Sequence, residues 1–188
     1  MPNARRLRGL ADPSRLKPFD RDKGTKTLTV VIETPKGSRN KYAFDADERV
    51  FSLTKVLPAG MAFPYDFGFV PSSLAEDGDP VDVLVLMDEP AFPGCVLHCR
   101  VIGIIEGEQG DGKDTLRNDR IVAVEQENHS YATVKHIDEL GKPFVRELEE
   151  FFVNYHDLTG EKYKIIGARG PHAAEKRIQA GIKRYRRG

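Results

Sequence analysis

From Thr25 to about residue 127, hydrophobic and polar positions alternate in short segments that are rich in β-branched and aromatic residues and end at Pro, Gly or Asp. This pattern is typical of β-strands. Residues 94–114 are predicted to form a longer strand that runs into a glycine-rich turn, and residues 119–127 its return. The other predicted strands lie in residues 25–35, 39–47, 49–57 and 81–90. Many strands at this spacing predict a barrel or a sandwich.

The last third of the chain changes to helical spacing. Hydrophobic side chains recur every three or four positions in two stretches, Phe144, Leu148, Phe151, Phe152 and Tyr155 in the first and Ala174, Ile178, Ile182 and Tyr185 in the second. Pro143 and Pro171 suit the first turn of each helix. The predicted fold class is therefore a mainly antiparallel β barrel with flanking α-helices, an α+β protein.

The length of the chain favours one domain. Its 188 residues, 39% of them hydrophobic, can close one full-sized core. Residues 1–24 are rich in Arg, Pro and Asp and have no sustained period, which predicts a basic N-terminal arm or tail. We expect residues 25–188 to form a single domain.

Charge is balanced over the chain but not along it. The net charge is zero, so neither a specific nucleic-acid partner nor a membrane surface is expected. The basic ends admit weak nucleic-acid binding as an alternative, but a solvated tail explains them better. No stretch approaches the roughly 18 apolar residues of a membrane helix, and no apolar segment follows the basic N-terminus. A cytoplasmic protein is therefore expected.

The two cysteines, Cys95 and Cys99, are predicted to be buried and reduced in the core. With strand spacing they point to the same side as Leu97. A zinc site would need more ligands than these two and His98, and the sequence has no CxxC pair.

Acidic residues crowd the turn before one predicted strand. Residues 76–89 carry six acids and no base, and Asp77, Asp79 and Asp82 lie within six positions of each other. Such carboxylates repel one another unless a cation lies among them. Carboxylate oxygens suit Mg²⁺ or Mn²⁺. An ordinary solvated Asp-Gly turn explains the spacing alone equally well.

The longer string DGDPVDVLV resembles the signature of the family I soluble inorganic pyrophosphatases, and the resemblance extends from about Val30 to Gly167. Other matching segments are VVIETP, NKYAFD, FPYDFGFVPSSLAE, PGCVLHCRVIG, RIVAV and FFVNYHDLTGEKYKIIG. The resemblance implies an OB-like barrel with flanking helices. It also implies hydrolysis of pyrophosphate to two phosphates by several Mg²⁺ ions, with Mn²⁺ as a substitute, in a homo-oligomer.

Metal-binding positions are carried over from the family motif one residue at a time. Asp77, Asp79 and Asp82 match the metal cluster, and Asp79 also matches the acceptor of a proton from the attacking water. Glu33 matches the glutamate of the first strand, which helps to hold a metal through water. Without the resemblance, Glu33 would be taken for a solvent-facing strand residue.

Substrate-binding positions are partly altered. Lys41 and Tyr155 match a phosphate-binding lysine and tyrosine, although a surface lysine and a core ring would fit as well. Lys55 stands where the family has an arginine, and Arg120 where it has a lysine. His156 replaces another lysine, and its imidazole is charged only below about pH 6.5 unless its pKa is perturbed.

Three further departures remove polar groups. Ala43 replaces a common glutamate, and Phe63 and Phe67 replace two active-site tyrosines. These changes weaken the hold on the substrate and spare the central aspartates. We therefore expect a slower or weaker enzyme rather than an inactive one.

The loop before RIVAV leaves one metal ligand undecided. Asn118 takes the place of a metal-ligating aspartate, and strand alternation would point Asp119 away from the side that Arg120 faces. Asp111 or Asp114 could fill the role of the other loop aspartate of the family. All four are weaker candidates for metal binding than the central cluster.

Two other functions remain compatible with the sequence. The same metal cluster could hydrolyse another phosphoanhydride, such as a nucleotide or a short polyphosphate. The barrel could also serve as a non-catalytic, oligomeric phosphate-binding protein. A substrate panel and a metal-binding measurement without turnover would separate these from a pyrophosphatase.

Overall fold

The computed structural model describes residues 12–22, 25–110, 114–158 and 160–187. The strands in this part of the chain are β1 (Phe19–Asp22), β2 (Thr25–Thr34), β3 (Asn40–Asp45), β4 (Val50–Val56), β5 (Asp66–Phe69), β6 (Asp82–Leu86), β7 (Val96–Gln109), β8 (Leu116–Arg117), β9 (Arg120–Glu125) and β10 (Tyr163–Arg169). The α-helices are α1 (Lys142–Asp157) and α2 (Pro171–Tyr185), and two short 3₁₀ helices cover Pro13–Arg15 and Ile137–Leu140. Neither described α-helix is long and apolar enough to cross a membrane.

Five of the strands close into a ring. The order is β2, β5, β6, β9 and β7, and β7 pairs with β2 again to complete it. Only the β6–β9 pair is parallel, and the other pairs of the ring are antiparallel. β1 and β10 extend the sheet, and β3 and β4 form a separate hairpin. The predicted mainly antiparallel, OB-like barrel is confirmed.

Alternation along the strands divides the hydrophobic core into two clusters. Val83 and Val85 of β6 join a cluster that includes the buried face of α2, whereas Leu84 and Leu86 join one that includes α1. β9 alternates in the same way. Because successive side chains of a strand point to opposite faces, the hydrophobic central residues of these strands can support a helix on each side.

Both helices begin where the prolines predicted. Pro143 and Pro171 lie in the first turns of α1 and α2, where a missing backbone N–H costs no helical hydrogen bond. The predicted stripes are buried or half-buried, with Tyr185 as the exception at 39% exposure. Tyr185 is the last residue of α2, beyond the barrel surface that buries Ile182.

Several strands of the described residues were not predicted from the sequence. β1 lies within the stretch expected to be an arm, and β5, β8 and β10 were not predicted as strands. The division into an arm and one domain stays a prediction. Cys99 is buried as expected, but Cys95 is only half-buried because it precedes β7 and lies in the turn that leads into it.

Gly68 permits the close approach of β5 to β2. It faces Ile32 in the antiparallel register, and a Cβ atom at this position would lie 2.9 Å from the Cα of Ile32 and closer still to the carbonyl oxygen of Val31. Backbone atoms cannot rotate away as a side chain can, so Gly68→Ala is expected to lower the free energy of unfolding by about 2 kcal/mol. Urea denaturation measures this change, and an unaltered midpoint would contradict it.

Candidate active site

Most of the predicted site residues line one cavity of about 720 Å³. It is bordered by the end of β2, the β3–β4 hairpin, the turn before β6, the start of β9 and the end of α1. The predicted residues that line it are Glu33, Lys41, Lys55, Asp77, Asp79, Asp82, Asn118, Arg120, Tyr155 and His156. Strand ends that meet at the barrel rim thus gather side chains that are far apart in sequence.

The acidic wall of the cavity is built on a tight turn. Gly78 has φ +97°, a conformation that a side chain would disfavour. The Asp77 carboxylate accepts a hydrogen bond from the Asp79 N–H at 3.1 Å, and the Ala75 N–H donates to the Asp79 carbonyl at 2.6 Å. Asp82 then begins β6. The turn chemistry therefore places three carboxylates along one wall.

Burial favours the protonated forms of Glu33, Asp77 and Asp82. It raises the pKa of Glu33 to about 7, even though the Glu33 carboxylate accepts a hydrogen bond from the Phe44 N–H at 2.8 Å. Burial also raises the pKa of Asp77 and of Asp82. A cation among these oxygen donors would stabilise their charged forms.

The acidic side chains line the same cavity but do not converge on one metal position in the described residues. Within residues 12–22, 25–110, 114–158 and 160–187, no three His, Cys, Asp or Glu side chains are arranged to hold a metal ion by themselves. All-oxygen donors at the mouth of a cavity nevertheless fit Mg²⁺ or Mn²⁺, which keep several water ligands.

Three positively charged side chains, those of Lys41, Lys55 and Arg120, line the same cavity and lie beside aromatic rings. The Lys41 and Lys55 ammonium groups lie 5.6 and 5.1 Å from the centroid of the Tyr155 ring. Lys41 and the Arg120 guanidinium each lie 5.9 Å from the centroid of Phe67. The rings attract the cations while keeping them apart. This arrangement is suited to a multiply charged anion.

Arg120 contacts both Asp82 of the acidic wall and Asn118. Its Nη1 lies 3.3 Å from the Asp82 carboxylate and donates to the Asn118 carbonyl oxygen at 3.0 Å and to the Asn118 side-chain oxygen. The Asn118 amide nitrogen in turn donates to the Gln109 side-chain oxygen. The position of the guanidinium is therefore fixed by a chain of polar contacts.

His156 is an uncharged member of the site. Its ring stacks on Tyr163 at 4.4 Å between centroids, and its Nδ1 lies 3.1 Å from the Glu161 carboxylate. Burial lowers the pKa of His156 to about 4, helped by the charge of Arg120 and opposed by Glu161. At neutral pH the imidazole is therefore uncharged, and it can donate a hydrogen bond through one ring nitrogen and accept one through the other.

Two loop aspartates do not reach the cavity, and a third lies outside the described residues. The Asp119 carboxylate accepts a hydrogen bond from the Gly107 N–H at 3.0 Å and pairs with Arg177 of α2 at 2.7 Å. Asp114 is exposed and does not line the cavity. Asp111 is the residue that the structure does not describe.

Sequence reasoning missed other residues of the cavity wall. Gln109, Glu161, Leu116 and Ser14 also line it. The only sequence signal for Gln109 was its place at the end of a long alternating segment, where the strand reaches the barrel rim. Glu161 follows α1 in a segment without periodicity, so no pattern marked it.

The comparisons with known proteins agree with this arrangement. The family model for inorganic pyrophosphatase matches residues 30–186. The chain belongs to the inorganic pyrophosphatase family. An inorganic pyrophosphatase of Synechocystis sp. is 40% identical over 159 residues, which cover 85% of this chain and 92% of that protein.

Solved structures of inorganic pyrophosphatases extend the likeness to the fold. The crystal structure from Thermus thermophilus matches with a TM-score of 0.83 and 35% identity, covering 94% of this chain and 99% of that one. The structure from Helicobacter pylori matches with a TM-score of 0.80 and 31% identity, over 89% and 97% of the two chains. The inorganic pyrophosphatase fold therefore spans nearly the whole chain.

Proposed function

We propose that this protein hydrolyses inorganic pyrophosphate to two phosphates with the help of Mg²⁺, for which Mn²⁺ can substitute. The observation that carries the proposal is the cavity itself, which Glu33 and the three carboxylates of the acidic wall share with three cationic side chains. Metal ions bound to the first wall and the cations of the second can together neutralise a small, highly charged anion. Membership of a metal-dependent family supports the same function.

Asp77, Asp79, Asp82 and Glu33 are the proposed metal ligands. When bound, divalent ions lower the pKa of a coordinated water and screen the charge of the phosphoryl group. Asp79 is the proposed proton acceptor for the attacking water. Its carboxylate lines the cavity and accepts no hydrogen bond from the described residues, so it is available to the water.

The opposite wall is proposed to bind the substrate. Lys41, Lys55 and Arg120 supply positive charge, and the hydroxyl of Tyr155 supplies a hydrogen bond beside Lys41. His156 contributes a neutral hydrogen-bonding group, since its pKa is lowered to about 4. Asn118 is a weak metal candidate, because its side-chain oxygen already faces Arg120.

Phosphate release from pyrophosphate tests this function. With Mg²⁺ across pH 6 to 9 we expect sustained turnover, and with excess chelator none, because the acidic wall needs its cations. The midpoint of thermal unfolding should also be higher with Mg²⁺ than with chelator, since ions that bind only the folded state stabilise it. Equal midpoints and no release with either Mg²⁺ or Mn²⁺ would refute the proposal.

A substrate panel separates the remaining alternatives. Faster release from tripolyphosphate or ATP than from pyrophosphate would favour hydrolysis of another phosphoanhydride. Metal binding without turnover of any of the three would favour a non-catalytic phosphate-binding protein. A cytoplasmic location and assembly into a homo-oligomer stay predictions from the sequence and from the family.

A further inference from the structure

Among the four proposed metal ligands, Asp82 alone forms an ion pair with a described residue. Its Oδ2 atom lies 3.3 Å from Nη1 of Arg120, whose side chain is only 5% exposed. The carboxylates of Glu33, Asp77 and Asp79 have no such partner in the described part of the chain. One side of Asp82 is thus already neutralised by the protein.

The guanidinium at Asp82 is held too firmly to be a chance contact. The Asn118 amide nitrogen donates to Gln109, so the Asn118 side-chain oxygen must face Arg120, where it accepts a hydrogen bond. The guanidinium also lies 5.1 Å from the Phe152 ring and 5.8 Å from the Tyr163 ring. Polar contacts and aromatic faces together fix the group at this position.

A fixed guanidinium and a divalent ion compete for the same side of a carboxylate. Asn118, which contacts the guanidinium, and Gln109, which contacts Asn118, are amides and offer a metal no negative charge. The Glu161 carboxylate of the same cavity lies 3.1 Å from Nδ1 of His156. A divalent ion on this side of Asp82 would be repelled by Arg120 and would gain little from the two amides.

We propose that Arg120 takes the place of one divalent ion beside Asp82, so that metal binding is confined to the side of the cavity formed by Glu33, Asp77, Asp79 and the free Oδ1 of Asp82. The proposal rests on the proposed function, because it concerns the same acidic wall. It assigns Gln109 and Asn118 the role of holding the built-in cation. The resting protein therefore needs fewer divalent ions than its carboxylates alone would attract.

The test is a count of Mn²⁺ ions bound to the metal-free, full-length protein in the absence of substrate, by isothermal titration calorimetry and by electron paramagnetic resonance of free Mn²⁺. In Arg120→Gln the competing charge is gone, so we expect either one additional Mn²⁺ per chain or at least about tenfold tighter binding. Weaker or unchanged Mn²⁺ binding by a folded Arg120→Gln protein would overturn the proposal, since it would mean that Arg120 only positions Asp82.

Asn118→Ala provides a second variant in case Arg120→Gln does not fold. It removes the side-chain oxygen that holds the guanidinium and adds no metal ligand, so we expect tighter Mn²⁺ binding than in the parent. The matched control is Asn154→Ala, which makes the same change at an exposed position of α1. Equally tighter binding in the control, or unchanged binding in Asn118→Ala, would overturn the proposal.

The parent protein separates this proposal from the proposed function. If the parent binds Mn²⁺ and releases phosphate but the variants bind Mn²⁺ as the parent does, only the role of Arg120 fails. If the parent binds no Mn²⁺ and releases no phosphate, the proposed function fails and the role of Arg120 fails with it.

Discussion

Asp79→Asn is expected to lower the rate of phosphate release from magnesium pyrophosphate by at least about 10²-fold, because a general base alone contributes roughly 10² to 10⁴. Asparagine has the size of aspartate but neither accepts a proton from water nor brings negative charge to a metal. The change should leave the fold intact. The backbone N–H of residue 79 still donates to Asp77, and the Asp79 carboxylate makes no hydrogen bond with the described residues.

Asp138→Asn is the matched control for this experiment. Asp138 lies in the 3₁₀ helix Ile137–Leu140, its side chain is 80% exposed, and it does not line the cavity. Phosphate release by Asp138→Asn should equal that of the parent protein, and both variants should show the parent's thermal unfolding in the presence of chelator. If a folded Asp79→Asn protein kept more than a tenth of the parent's rate, Asp79 would not be the proton acceptor.

Local sequence patterns predicted those parts of the fold that are long and regular. β7 and α1 each repeat their period over many residues, so the hydrophobic positions alone indicate them. β5 has only four residues, one of them a glycine and one a buried aspartate, and no period can be seen in it. The closure of the ring through the β2–β7 pair depends on residues far apart in sequence, which no local pattern reports.

Some residues of the site could likewise be predicted from the sequence, and others could not. Asp77, Asp79 and Asp82 could be predicted because they lie in one short string of sequence that resembles the family signature. Alternation also predicted the direction of Asp119, which lies against Arg177 and outside the cavity. Gln109 could not be predicted, because its role depends on a contact with Asn118 across a long loop. The charge states of the site residues could not be predicted either, because burial shifts their pKa values and depends on the folded structure.

Acidification from pH 7 to pH 4 is expected to cost the protein about 3 kcal/mol of unfolding free energy through His156 alone. The His156 side chain is 5% exposed, and burial lowers its pKa from the ordinary value of 6.5 to about 4. Between these two pKa values the unfolded chain binds a proton that the folded chain does not. The free energy of unfolding therefore decreases as the pH is lowered. Each pH unit in this range corresponds to about 1.4 kcal/mol.

Comparison of the parent with His156→Gln isolates this effect. Glu33 acts in the opposite direction, because its pKa is raised to about 7 and the folded chain binds its proton more readily, but Glu33 is present in both proteins. Urea denaturation in the presence of chelator at several values between pH 4 and pH 7 should therefore give a shallower loss of stability for His156→Gln. His172→Gln, at an exposed position of α2, should lose stability as the parent does. Parallel curves for the parent and His156→Gln would contradict this prediction, because they would mean that the pKa of His156 in the folded protein is not below its ordinary value of 6.5.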